Sequence, residues 1–518
     1  MKKKLLFAFL ICFAVLPFAS AHAATWYVDN AATGSGNGTS WTNAWKSFSA
    51  IAWSSVKAGD TIYISGGTTS KTYKEVLNPA TSGTDSSPIY IKPGQTSPHN
   101  GVVTITAAAG ASSGGIRLTK NNITIDGNVG GKCNIRVTGC TQNGVYATGY
   151  GLSLQYLEID NNGNSSAGSA DGNGIRHAIP SSWDSKPNVL DVGYCKIHNN
   201  WRDQIALKGS NGAAMFGRFK VHHNEIYEIQ DDGLEDDMRG LDFYNNKMHT
   251  FATGKGVGHS DGIQTSAGYH RIYNNTFYNF SHPTKTGVNS YMLISTFANN
   301  IAQAEDYIYV YNNLIYDTTP KASLKKDAYL RGIEFTFGPS SITTGTSHVV
   351  IANNTIVGTP YSGLNIWPKD GKTIADWKVY NNIVYNCYRL GSGGVAMDIG
   401  YAGSWTIGSE GDGKQVQLDY NYVHQGSEGV QAVRVKGTRY STFAAAMSAA
   451  GINKHLTTAN VAPNLTSTYR AQSTSPGNNK GYKFTHFNSD IDAVSRPQGT
   501  AWDLGASECK TTTTASAQ

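Results

Sequence analysis

Ile272-Tyr273-Asn274-Asn275 and Val379-Tyr380-Asn381-Asn382 are two copies of one short pattern: an apolar residue, an aromatic one, a pair of asparagines, then an apolar continuation. It recurs as Val221-His222-His223-Asn224, Phe243-Tyr244-Asn245-Asn246, Val310-Tyr311-Asn312-Asn313 and Ile351-Ala352-Asn353-Asn354. Leu418-Asp419-Tyr420-Asn421 is a degenerate copy, and Cys195 takes the Asn place in Val192-Gly193-Tyr194-Cys195. A second pattern, a small or polar residue, Gly and a branched apolar residue, runs in phase with the first. Its copies are Gly114-Gly115-Ile116, Asn143-Gly144-Val145, Asn173-Gly174-Ile175, Asp203-Gln204-Ile205, Asp232-Gly233-Leu234 and Asp261-Gly262-Ile263, stepping by 29, 30, 30, 29 and 29 residues. After a longer interval come Arg331-Gly332-Ile333, Ser362-Gly363-Leu364 and Gly393-Gly394-Val395, 31 and 31 apart.

A unit of about 30 residues cannot bury a core alone, so such units stack and each side chain lies on its equivalent in the next coil. Asn at a tight corner tolerates left-handed backbone and hydrogen-bonds its neighbour along the stack. Short Val/Ile/Tyr runs bounded by Asn and Gly read as strands, three to a coil. The Leu pattern of a leucine-rich array and the hairpin signals of a propeller are both absent.

Lys2-Lys3-Lys4, the apolar stretch from Leu5 to Phe18 and Ala21-His22-Ala23 read as a secretory signal, too short for a membrane span. The formal charge of +6 falls to +3 once those three lysines leave. Near-neutrality gives no case for nucleic acid, and no later segment is apolar enough for a membrane. Without Cys12, five cysteines remain (Cys133, Cys140, Cys195, Cys387 and Cys509), an odd number with no metal-site spacing. The expected organisation is a signal at 1–23, an N-terminal cap and first rungs at 24–110, rungs at 111–430, C-terminal rungs and a closing segment at 431–509, and a polar tail at 510–518. Thr442 to Ala450 is the best helix candidate.

The rungs resemble those of the pectate-lyase-like superfamily. So do the opening Trp26-Tyr27-Val28-Asp29 through Gly59-Asp60-Thr61-Ile62, and the closing Ser475-Pro476-Gly477, Arg496-Pro497-Gln498-Gly499 and Asp503-Leu504-Gly505-Ala506. The resemblance implies an all-β, single-stranded right-handed parallel β-helix with an N-terminal cap. It leaves activity open, because that superfamily holds lyases, hydrolases, epimerases and adhesins.

Three consecutive rungs carry an aspartate at one register: Asp203, Asp232 and Asp261. Adjacent parallel strands are about 4.8 Å apart, so three carboxylates aligned there need protons, cations or basic partners. An aspartate at a corner also serves simply as a backbone acceptor in place of Asn. Arg176, Glu235 and Gln264 follow the apolar position, with Lys208 and Asp237 two further on. Asp232, Glu235, Asp236, Asp237 and Asp261 are the candidate ligands for Ca²⁺. The step from Asn position to second ladder is eight residues from Cys195 to Asp203, Asn224 to Asp232 and Asn354 to Ser362 but fifteen between Asn246 and Asp261, an insertion carrying Lys255, Gly256, Gly258 and His259. The interval from Asn313 to Arg331 is also long and carries Lys321, Lys325 and Lys326.

Such a groove suits an acidic polysaccharide. Cleavage of a uronate by β-elimination needs its carboxylate neutralised and a base for the neighbouring proton. Lys255, His259, Lys208 and Arg239 are the catalytic candidates. Arg176, Asp203, Asp232, Glu235, Asp261 and Gln264 are those for substrate binding. The expectation is therefore a secreted, monomeric lyase on an acidic glycan. The alternatives are a glycoside hydrolase of polygalacturonase-like type and a non-catalytic glycan-binding β-helix. Asp203-Gln204-Ile205-Ala206-Leu207-Lys208 and Gly258-His259-Ser260 resemble segments of the polygalacturonase family, but Arg202 stands where that family has a catalytic aspartate. The Asp-Pro-His-Asp motif of alginate epimerases is absent.

Overall fold

The computed structural model describes residues 23–510 except 107–113, 165–171, 184, 210–212, 253–259, 282–287, 296–306, 325–328, 337–345, 369–373, 392, 401, 431 and 457–460. The chain is a right-handed parallel β-helix. Its strands build three long sheets of fourteen, twelve and twelve described strands, here I, II and III, which the chain visits in turn. One coil is Leu190–Gly193 in sheet I, Lys196–His198 in sheet II and Ile205–Gly209 in sheet III. The next is Phe219–His222, Glu225–Ile229 and Leu234–Asp236. Right-handed crossover between parallel strands is the sterically favoured choice for twisted strands.

Period-two alternation sends one side of each strand inward. In sheet I, Val192, Val221, Phe243, Ile272, Val310, Ile351 and Val379 lie in register, all fully buried. The apolar residue of the second pattern forms the inward column of sheet III, from Ile116 through Val145, Ile175, Ile205 and Leu234 to Ile263. The long interval after Ile263 is one further rung, Val288–Ser295, in which Met292 continues the column. Tyr291 there occupies the place of the repeat glycine, so the rung carries no Gly signature.

A second difference lies further on. Leu364 pairs with Met397, not with Val395, so Gly393-Gly394 belong to the corner before the strand and the true step is 33 residues. Gly393 has φ +78, a backbone that glycine adopts without strain.

The I-to-II corner has two residues in most rungs, and its two asparagines do different work. The first is left-handed, with φ between 53 and 58 at Asn245, Asn274, Asn312, Asn353 and Asn381. The second is buried and points along the stack. Asn275 donates through Nδ2 to the Phe243 carbonyl at 2.9 Å and to Asn313 Oδ1 at 3.0 Å. Its Oδ1 accepts from the backbone and the side chain of Asn246. The same bonds join Asn224, Asn246, Asn275, Asn313, Asn354, Asn382 and Asn421 without a break. Cys195 ends the ladder, accepting nothing from it but donating its N–H to Asn224 Oδ1 at 2.8 Å.

The helix Phe443–Ala450, N-capped by Thr442, packs against the last sheet III strands. The chain then returns along the outside of the I-to-II corner. Phe487 stacks on Tyr311 at 4.1 Å, and the left-handed Asn312, Asn353 and Asn381 donate to the carbonyls of Ser489, Asp503 and Tyr482. That corner is closed off. Many of the long connections enter sheet III from sheet II or leave it to sheet I, which makes its outer face the candidate groove, whereas the connection carrying Asn128–Val129 and Lys132–Cys133 joins sheet I to sheet II.

Candidate functional site

Alternation in sheet III turns one residue per rung outward next to the inward column. In register these are Arg117, Tyr146, Arg176, Ala206, Glu235 and Gln264, and beyond Leu293 come Glu334, Asn365, Asp398 and Arg434. Arg117 lies 5.8 Å from the Tyr146 ring, and among the described residues no carboxylate pairs with Arg117 or Arg176. The groove therefore begins as a cation, an aromatic ring and a cation on successive rungs.

Lys208, two residues further along its strand, binds Glu235 Oε1 at 2.5 Å and Asp237 Oδ2 at 2.8 Å. Burial alone would lower the pKa of its ammonium, but the two carboxylates outweigh that and hold it above the ordinary lysine value. A lysine so held is a fixed positive charge beside two carboxylates. Arg239 sits buried in the turn from sheet III to sheet I, at the edge of the sheet opposite the aspartates. Lys255 and His259 lie outside the described residues.

The aspartates Asp203, Asp232 and Asp261 do form a column, continuing Asn143 and Asn173 at the II-to-III corner. Asp203 Oδ1 accepts from the Asp232 N–H at 3.3 Å, and Asp232 Oδ1 from the Asp261 N–H at 2.7 Å, as Asn143 does from Asn173. All three are buried. Asp203 and Asp232 thus act as corner acceptors, and the column also gathers more acid. Oxygens of Asp203, Asp231 and Asp232 lie within 4.8 Å of one another. Burial, then the charges of Glu235 and Asp231, push the Asp203 carboxyl well above its ordinary value; burial, then Asp261 and Asp203, do the same to Asp232. Arg202 approaches Asp231 at 3.5 Å.

The five carboxylates expected to hold one cation do not share a face. Asp236 points inward, fully buried. It accepts from the Met238 N–H at 2.9 Å and the Thr265 hydroxyl at 3.2 Å, with His270 Nε2 3.4 Å away. Burial raises the Asp236 carboxyl and lowers the His270 pKa to about 3, so that pair is a polar brace inside the core. Glu235 and Asp237 point outward and are held by Lys208. Of the acids on these rungs, Asp203, Asp231 and Asp232 have oxygens close enough to one another to share a cation, and carboxylate oxygens are the donors Ca²⁺ takes.

Sequence reasoning missed the second half of the floor. Glu334 accepts from Ser290 at 2.7 Å and from Arg331 at 3.3 Å, and Arg331 also lies over the rings of Tyr361 and Trp367. Arg434 grips Asp398 with two bonds, 3.0 and 2.5 Å. Burial raises both Glu334 and Asp398. Glu334 could have been found by counting from Ile333. Asp398 was hidden by the two-residue slip at Gly393-Gly394, which puts Ala396 in its place.

No family model matches the sequence, and no curated protein matches it. In backbone the chain is similar to the pectate lyase Pel9A, with 15% identity over 94% of this chain and 96% of that one at a TM-score of 0.43. A PL6 family alginate lyase shares 14% identity over 81% of this chain and 59% of its own, at 0.42. An alginate lyase from Paenibacillus shares 16% over 57% of this chain and 96% of its own, at 0.38. The likeness is one of fold. No described helix is long and apolar enough to cross a membrane.

Proposed function

We propose that this protein is an exported enzyme that lays an acidic polysaccharide along sheet III and cleaves it by β-elimination. The observation that carries this reading is the run of Arg117, Tyr146 and Arg176 beside the Asp203/Asp231/Asp232 cluster. Arginines without a carboxylate partner among the described residues offer bidentate binding to uronate carboxylates, and one rung leads directly to the acids. Export rests on the signal-like segment at Lys2 to Ala23. Ca²⁺ held by Asp203, Asp231 and Asp232 would neutralise a substrate carboxylate and so acidify the carbon–hydrogen bond beside it. Lys208, pinned between Glu235 and Asp237, contributes a second fixed positive charge. Lys255 and His259, in the insertion that precedes Asp261 in sequence, are the proton acceptors to test.

Incubation with pectate, alginate and glycosaminoglycans should give an unsaturated product that absorbs in the ultraviolet. Arg176→Ala should raise KM about tenfold, the loss of one charge-assisted contact. Absence of unsaturated product across the whole panel would overturn the lyase reading. A second reading has its own observation. Glu334 and Asp398 are two rungs apart in one outward column, about 9–10 Å by strand spacing, near the separation of about 6.5–9.5 Å used by inverting glycosidases. New reducing ends without unsaturation, lost in Glu334→Gln, would select it. Neither product would leave a glycan-binding protein.

A further inference from the structure

Outside the groove, on the outer face of sheet I, a cleft of about 330 Å³ opens near the corner where the chain leaves sheet III. Its floor is four outward residues on adjacent strands in register: Thr124, Ser153, Asp191 and Lys220. Tyr150 and Lys186, both from III-to-I connections, form one wall, with the Lys186 ammonium 4.5 Å over the Tyr150 ring. Thr84 and Asp85 form the other. Beneath, the buried Arg218 guanidinium donates to the carbonyls of Lys186 and Arg239 at 3.1 and 3.2 Å.

The acids beside Lys220 are engaged elsewhere. Asp191 is held by His222 Nε2 at 2.9 Å and by Gln155 Nε2 at 3.1 Å, and Asp242 on the other side is bound by Arg271 Nε at 2.8 Å. Among the described residues no carboxylate forms an ion pair with Lys220 or Lys186. Two ammonium groups thus face a space that otherwise offers the hydroxyls of Thr124 and Ser153 and the carboxylates of Asp85 and Asp191, with the engaged Arg218 guanidinium beneath. A ligand that satisfies this set carries one carboxylate for the lysines and several hydroxyls for Thr124, Ser153 and Asp191. The volume, at the small end of ligand sites, admits a single sugar ring.

We infer that the sheet I cleft is a second binding site, for a carboxylated monosaccharide or the end unit of an acidic glycan. It does not depend on the reading of sheet III, and the binding that belongs to it is the part lost with Lys186 and Lys220. The test is calorimetric titration of the full chain with D-glucuronate, with D-glucose and inorganic phosphate as parallel arms. Glucuronate should bind, and the Lys186→Ala/Lys220→Ala variant should weaken it at least tenfold. The loss caused by the lysine variant should be the same in an Arg117→Ala/Arg176→Ala background, where the groove of sheet III no longer contributes to glucuronate binding. Ser153→Phe, which fills the floor and keeps every charge, should abolish binding while thermal unfolding stays as in the wild type. Equal affinity for glucose, binding of phosphate alone, or wild-type affinity in the lysine variant would each overturn the inference.

Discussion

Two corners of the same coil are built on opposite chemistry. At the I-to-II corner the stacked residue is an amide, which both donates and accepts, so each Asn completes the next and the ladder runs from Asn224 to Asn421 with every group satisfied. At the II-to-III corner Asn143 and Asn173 give way to Asp203, Asp232 and Asp261. Ionised carboxylates only accept, so neighbouring ones repel until a proton or cation lies between them. The first corner is uniform and tightly covered by the returning C-terminal segment. The second is irregular and gathers buried carboxyls whose pKa values are raised by burial and by one another.

Breaking the amide corner should have the largest effect. Asn275→Ala strands the Phe243 carbonyl and the N–H groups of Asn246, at a cost of about 3 kcal/mol from buried unsatisfied groups, visible as a lowered midpoint in denaturant unfolding. An unchanged midpoint would mean that water replaces the amide.

The acidic corner should respond in the opposite sense. Asp203 and Asp232 bind protons more tightly in the fold than in the unfolded chain. Their stabilisation is complete below the ordinary value of 3.8 and fades as pH rises through their elevated folded values. As pH rises from about 4 through those elevated values the wild type should lose stability relative to Asp203→Asn/Asp232→Asn, ending about 1 kcal/mol or more below it by relief of like-charge contact. Ca²⁺ should restore the wild type at the alkaline end and leave the variant unmoved. Parallel pH curves for the two proteins would show that the column is already neutralised.

The smallest effect sharpens the amide corner. Cys195 stands at its end with Sγ 3.6 Å from the Leu154 carbonyl, where an Asn would place a donor. Cys195→Asn should extend the ladder by one rung and stabilise the fold by about 0.5–1 kcal/mol, the net value of a new hydrogen bond. Destabilisation would indicate that the thiol fills space an amide cannot.

The coil was legible wherever it repeats itself. Asn pairs and the Gly-apolar step marked the corners and inward columns because each rung faces the same packing problem. The reading slipped where one residue broke the pattern, at Tyr291 in place of Gly and at Gly393-Gly394 shifted into the corner. Strand alternation after Leu234 already separates Glu235 and Asp237 from Asp236, yet the five acids read as one cluster because they are close in sequence.

The sequence by itself determined the coil, its asparagine corner and the rungs on which acid accumulates, because these depend on local conformation and on a period that repeats. Only the tertiary structure decided which acids meet and which cations stay unpaired. Asp203 reaches Asp231 and Asp232 across a rung boundary, and Lys208 finds Glu235 and Asp237 one rung on. The sheet I cleft gathers residues 84, 150, 186 and 220 from separate coils. Such neighbours are set by strand register and by the burial that distant segments impose, and neither is written in any single stretch of chain.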